Sequence, residues 1–255
     1  MSEQPLKSGP PRSVYLLPSL LTTSALFAGF YGVIAAINEQ FVVAAISVIV
    51  AMVFDGLDGR VARLTKTQSA FGAEYDSLAD MVSFGLAPAL IAFLWTLESL
   101  GKLGWIAAFI FVAGAALRLA RFNTQLHNDK QDKRFFYGLA SPSAAALVVT
   151  LVWNASLRGW GAEWLAVLTA AVVAISGILM VSNIRYYNFK TMTGRRRVPF
   201  VVLPLLVLLF GVIALQPPLM LLLMAILYVL SGIVLEVVLR IKEIKAKAVS
   251  ADANQ

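Results

Sequence analysis

Long apolar runs separated by short polar breaks dominate the chain. Eight stand out, at 15–37, 41–62, 72–97, 103–122, 138–155, 163–182, 198–214 and 217–240. Most approach the roughly 20 residues that a helix needs to cross the hydrocarbon core of a bilayer, and the fifth and seventh lie near the short limit. Apolar and polar residues do not alternate within the runs, which argues against the ten-residue strands of a membrane barrel. Backbone groups in lipid must find partners inside their own segment, and that leaves the helix. The pattern predicts an all-α polytopic membrane protein with polar ends at 1–14 and 242–255. No cleavable leader is expected, because the first 13 residues are polar and the run after them is too long for an h-region.

Composition agrees with lipid as the solvent. The chain has 255 residues, 59% of them hydrophobic and 14% charged, against about a quarter charged in soluble domains. It has no cysteine, which excludes disulfides, thiolate metal sites and a cysteine nucleophile. The net charge of +7 raises the question of nucleic acid, and its distribution answers it. With eight spans, all but Lys102 and Arg158 of the 21 basic residues fall on one side. The positive-inside rule puts that side, and both termini, in the cytoplasm. The basic residues then read as topology signals next to anionic lipid, and no nucleic-acid partner is needed. The Arg195–Arg197 run reads the same way, and His127 reads as a solvated loop residue.

The chemistry concentrates in Asp55–Asp80, DGLDGRVARLTKTQSAFGAEYDSLAD. Asp55 and Asp58 are three apart and Asp76 and Asp80 four apart, so each pair shares a helix face. Antiparallel neighbours would bring the pairs together. Carboxylates in a membrane are costly, by roughly 2.5–3.5 kcal/mol each at mid-bilayer, and they repel one another. Divalent cations remove both penalties, and hard oxygen ligands suit Mg2+ or Mn2+. Gly59 and Gly72 leave room for a ligand to approach, Ala62 keeps the same face shallow, and Arg63 offers a planar fork to phosphate.

This stretch resembles the signature of the CDP-alcohol phosphotransferases, D-x-x-D-G-x-x-A-R, eight residues, then G-x-x-x-D-x-x-x-D. Asp55, Asp58, Gly59, Ala62, Arg63, Gly72, Asp76 and Asp80 occupy its fixed positions. The resemblance implies a six-helix catalytic core at 15–197, with 198–241 as two further spans, and a homodimer. It implies that Asp55, Asp58, Asp76 and Asp80 hold two divalent ions, with Asp80 also the general base. Ser19, Thr22, Gly59, Arg63, Ser69 and Gly72 are expected to contact CDP-diacylglycerol. Ser19 stands where the family has asparagine in P-N-x-x-T.

Five further segments are similar to bacterial phosphatidylserine synthases: Leu17–Phe30, Ser83–Ala89, Arg118–Asn123, Phe136–Ala145 and Ser182–Lys190. They imply L-serine as acceptor, with phosphatidylserine and CMP as products. Serine brings a carboxylate, for which Arg118, Arg121 and Arg185 are candidates, with Asn123 and Ser141 as hydrogen-bonding residues. Pro88 and Pro142 mark helix kinks or starts. Glycerol 3-phosphate, inositol phosphate and choline are alternative acceptors for the same chemistry. A cation- or proton-coupled transporter would place its carboxylates deeper and often show paired half-repeats, and a scaffold would use the aspartates for assembly alone.

Overall fold

In the computed structural model, the described residues are 12–125, 135–160, 163–187 and 202–252. They form α1 (Arg12–Ile37), α2 (Phe41–Thr65), α3 (Ala70–Asp80), a π-helical turn (Met81–Leu86) and α4 (Ala87–Trp95). A 3-10 turn at Leu97–Leu100 leads into α5 (Lys102–Gln125), followed by β1 (Phe135–Tyr137), α6 (Ser141–Leu157) and α7 (Glu163–Val181). Then come β2 (Arg185–Tyr187), α8 (Val202–Leu215) and α9 (Pro217–Asp252). Helices thus occupy all eight apolar runs. Six of the resulting segments are long and apolar enough to cross a membrane, and α6 is a shorter apolar helix. His127, Arg195–Arg197 and the first residues of the seventh run lie outside the described residues.

Small residues set the packing. α1 lies along α2, and Ala25, Ala28, Ala35, Ala36, Ala44 and Ala45 are all buried. Such residues let helix backbones approach closely where lipid offers no hydrophobic drive. The core continues through Phe84, Ile91, Phe111, Val148 and Val152. The outer surface keeps large apolar side chains exposed, among them Phe27, Phe109, Trp164 and Ile178, a surface that only lipid makes stable.

Two features depart from the sequence reading. The third run is not one α-helix: a π turn separates α3 from α4. Pro88 follows in the first turn of α4; it has no N–H for the preceding turn, and widening the ladder is one way to accommodate that. The second departure is a two-stranded antiparallel ladder in an otherwise helical protein, with Phe135 opposite Tyr187 and Tyr137 opposite Arg185. Three-residue strands carry no periodicity of their own. The ladder clasps the ends of α5, α6 and α7: Arg118 of α5 donates from Nη1 to the Gly138 carbonyl at 3.2 Å, and the Leu139 amide donates to the Leu179 carbonyl at 3.0 Å.

Candidate functional site

α2 and α3 form a helical hairpin, and its sequence dictates the turn. α2 ends at Lys66, which adopts left-handed φ 55° and sends its amide to the Ala62 and Arg63 carbonyls. Ser69 then caps α3, its hydroxyl accepting from the Gly72 amide at 3.0 Å. Both carboxylate pairs therefore lie at the same end of the bundle.

The hairpin brings Asp55, Asp76 and Asp80 together, with one carboxylate oxygen from each within 4.8 Å of the others. Asp55 and Asp80 are in side-chain hydrogen-bond contact, and Asp76 and Asp58 also press their charge on Asp80. Like charges this close need a cation or a proton between them. The donor set, carboxylate oxygen only, fits a hard divalent ion. Asp58 is buried, and its Oδ2 accepts the Thr22 hydroxyl of α1 at 2.7 Å. Three of the four expected metal ligands thus form a tight group, while Asp58 lies outside it and is oriented by Thr22 of α1.

A cleft of about 320 Å³ opens next to this group. Ser19, Thr22, Gly59, Arg63, Ser69 and Gly72, the six residues expected to contact the nucleotide lipid, all line it, together with Asp58 and Asp76. Gly59 adjoins the Arg63 guanidinium: a Cβ at position 59 would sit 3.7 Å from Arg63 Nη1, an ordinary contact. The N-terminus of α3 faces the same space, and its free amides favour an anion. Pro18, Thr67 and Gln68 line the cleft too and were not anticipated. Thr67 sits in the turn, hydrogen-bonded to Thr65 at 2.7 Å, and a Thr-x-Thr around a helix end is a weak signal by itself.

The five acceptor candidates separate. Arg118 is within electrostatic reach of Asp80, Tyr186 and Tyr228. Ser141 is buried in the first turn of α6, its hydroxyl without a hydrogen-bond partner among the described residues. Arg121 instead holds the clasp: Nη2 donates to Asn183 Oδ1 at 2.8 Å, Nη1 to the Val181 carbonyl at 3.4 Å, and the guanidinium lies 5.9 Å over the Tyr137 ring. Asn123 ties α5 to α3 through Ser77 at 3.1 Å. Arg185 pairs with Glu236 of α9 at 2.9 Å.

Tyr186 and Tyr228, whose rings stack at 5.6 Å, were missed. Aromatic residues in apolar surroundings read as packing until a cation is seen beside them. Burial pushes the Tyr186 phenol up to about 12, so it stays a neutral donor at ordinary pH.

The family model described as CDP-alcohol phosphatidyltransferase matches residues 15–176. A CDP-diacylglycerol–serine O-phosphatidyltransferase of Helicobacter pylori (strain 26695) is 41% identical over 201 residues, covering 79% of this chain and 84% of that protein. The protein of the same name from Mycobacterium leprae is 32% identical over 210 residues, 80% of this chain and 69% of its own. That of Methanocaldococcus jannaschii is 38% identical over 141 residues, 54% and 61% respectively.

Proposed function

This chain belongs to the CDP-alcohol phosphatidyltransferase family, and from that premise we propose that it transfers the phosphatidyl group of CDP-diacylglycerol to L-serine, forming phosphatidylserine and CMP. The observation that carries the reading is the convergence of Asp55, Asp76 and Asp80 at the edge of a cleft that also holds Thr22, Gly59 and Arg63.

The donor's diphosphate lies against Arg63 and the α3 N-terminus, with cytidine toward Ser19, Thr22 and Ser69. Its acyl chains remain in lipid, where an open apolar groove of about 620 Å³ runs between α1 and α2 past Leu20, Phe27 and Val50. Asp55, Asp58, Asp76 and Asp80 would hold two divalent ions, Mg2+ or Mn2+, which would supply positive charge to the diphosphate and the leaving group. Serine enters from the polar end beside Arg118. Asp80 accepts its hydroxyl proton as the oxygen bonds to the phosphorus bearing diacylglycerol, and the bond from that phosphorus to the CMP oxygen breaks. Positioning in a water-poor site does most of the work, because phosphoryl transfer needs little covalent help from protein.

The polar end faces the cytoplasm of a cell membrane, as the distribution of basic residues argues. Residues 15–197 form the catalytic domain, and a homodimer is part of the proposal on family likeness. The deciding experiment measures metal-dependent CMP release by the purified protein with serine, glycerol 3-phosphate, inositol phosphate and choline in parallel. Release with serine alone is expected, and preferential release with another alcohol would reassign the acceptor.

A further inference from the structure

α9 lies outside the segment that the family model matches, yet it packs along α6 and over β2. Close approach is built into it. Tyr186 of β2 lies so near Gly232 that a Cβ there would overlap its ring carbons. The same ring stacks on Tyr228 of α9, whose phenol is hydrogen-bonded to Ser143 of α6. One turn further on, Glu236 is buried and grips β2. Its Oε2 accepts from the Arg185 amide at 3.3 Å and from Arg185 Nε at 2.9 Å, and its Oε1 from Arg240 Nε at 2.8 Å. Through the pairing of Arg185 with Tyr137, this grip extends to the carbonyls of Tyr137 and Gly138, on which Arg118 rests.

The cluster contains groups that packing does not account for. Arg118 has five N–H donors, and the two carbonyls engage only Nη1. Among the described residues Tyr186 Oη is buried without a hydrogen-bond partner, and so is Ser141 Oγ, two residues before Ser143. Native proteins leave few buried hydroxyls in that condition, and those that remain call for a ligand, water or ion.

We propose that α9 completes the acceptor side of the site. Tyr228 is a specificity-determining wall of the pocket where Arg118 receives the carboxylate of serine. Glu236 is a positioning residue that fixes β2, and through it Tyr186 and Arg118. The inference rests on the serine reading above and gives it a charge argument. Glu236 is shared by Arg185 and Arg240, and Arg121 is engaged by Asn183 and Val181. Arg118 is held to the Tyr137 and Gly138 carbonyls through Nη1, which leaves its other donors to a ligand anion, and one guanidinium matches a carboxylate monoanion better than a phosphate dianion.

The test uses the full chain in lipid nanodiscs, with CMP release followed at varied serine under saturating CDP-diacylglycerol and then the reverse. Tyr228→Ala is expected to raise the serine KM about tenfold and to leave the CDP-diacylglycerol KM within about twofold. Tyr228→Phe, which keeps the ring stack and loses the bond to Ser143, shifts the serine KM in the same direction by less. Glu236→Ala and Arg185→Ala each raise the serine KM, and the double variant is no worse than either single, the signature of one shared contact. Leu227→Ala, on the exposed face of α9, leaves both constants alone.

If Tyr228→Ala does not fold, Tyr228→Phe and Glu236→Gln decide. A serine KM unmoved in both, or an equal rise in both substrates' KM, overturns the proposal. A wild-type protein that releases CMP with another alcohol and not with serine fails at the earlier step, and that result is distinct because it needs no variant.

Discussion

Thr22 has a single hydroxyl hydrogen and two acceptors within reach, Asp58 Oδ2 at 2.7 Å and the Pro18 carbonyl at 3.1 Å. The shorter bond goes to a carboxylate and is the stronger one, so Thr22 orients Asp58, a proposed metal ligand, from a different helix. Outer-shell partners of this kind typically contribute about 10–100-fold in metal affinity. Thr22→Val should weaken Mn2+ binding by at least the lower figure, read by calorimetric titration of the purified protein. Asp80→Asn should retain CDP-diacylglycerol binding and lose about 10²–10⁴-fold in turnover, the usual share of a general base; normal turnover at saturating metal would remove that role. The aspartates were legible because carboxylates are expensive in lipid and announce themselves, whereas the cleft-lining residues were expected from the family resemblance. Tyr186 and Tyr228 were not, since their part depends on Arg118, which only folding brings beside them.

At the scale of the element, the α2–α3 hairpin was the most legible part of the chain. Lys66 and Ser69 close a short turn between two rods, and the spacing of the aspartates does the rest. The π turn after Asp80 could not be read from periodicity, because one extra residue in a helical ladder barely disturbs an apolar pattern. Its packing explains Gly29. A Cβ at that position would lie 2.5 Å from Ser83 Oγ and 2.7 Å from Ser83 Cα, and Ser83 in turn donates to the Ala25 carbonyl at 3.1 Å. Gly29→Val should therefore push α1 off the π turn and cost about 1–3 kcal/mol, the usual range for overpacking. A lower thermal midpoint and weaker CMP release would register it, and an unchanged midpoint would mean that α1 yields freely. The β1–β2 clasp escaped the sequence reading for a different reason: its pairing joins residues some fifty positions apart, and no local signal encodes that.

For the molecule as a whole, the eight helical segments and the sidedness of charge followed from length and from lysine and arginine placement. Apart from the acidic faces of α2 and α3, which helices touch did not, because the runs are otherwise apolar nearly all round. The absence of cysteine makes sidedness easy to test. Single cysteines at Lys66 and Lys102 should be labelled by a membrane-impermeant maleimide only after lysis in the first case and in intact cells in the second. The reverse pattern would invert the topology. Chelation should abolish CMP release, and Mg2+ or Mn2+ should restore it; release that persists after exhaustive chelation would leave the carboxylate cluster without its proposed purpose.

α9 is 36 residues long, and its membrane-compatible part ends at Ile241. The eleven residues that follow to Asp252 carry the rod roughly 16 Å further at 1.5 Å per residue. The headgroups fill about 5–7 Å beyond the hydrocarbon and mobile ions at physiological strength blot out a charge beyond about 8 Å, so the tip stands about one screening length past the headgroups and feels them weakly, whereas Arg240 at its base does not escape them. A fluorophore or affinity handle placed at the tip should consequently leave lipid turnover undisturbed.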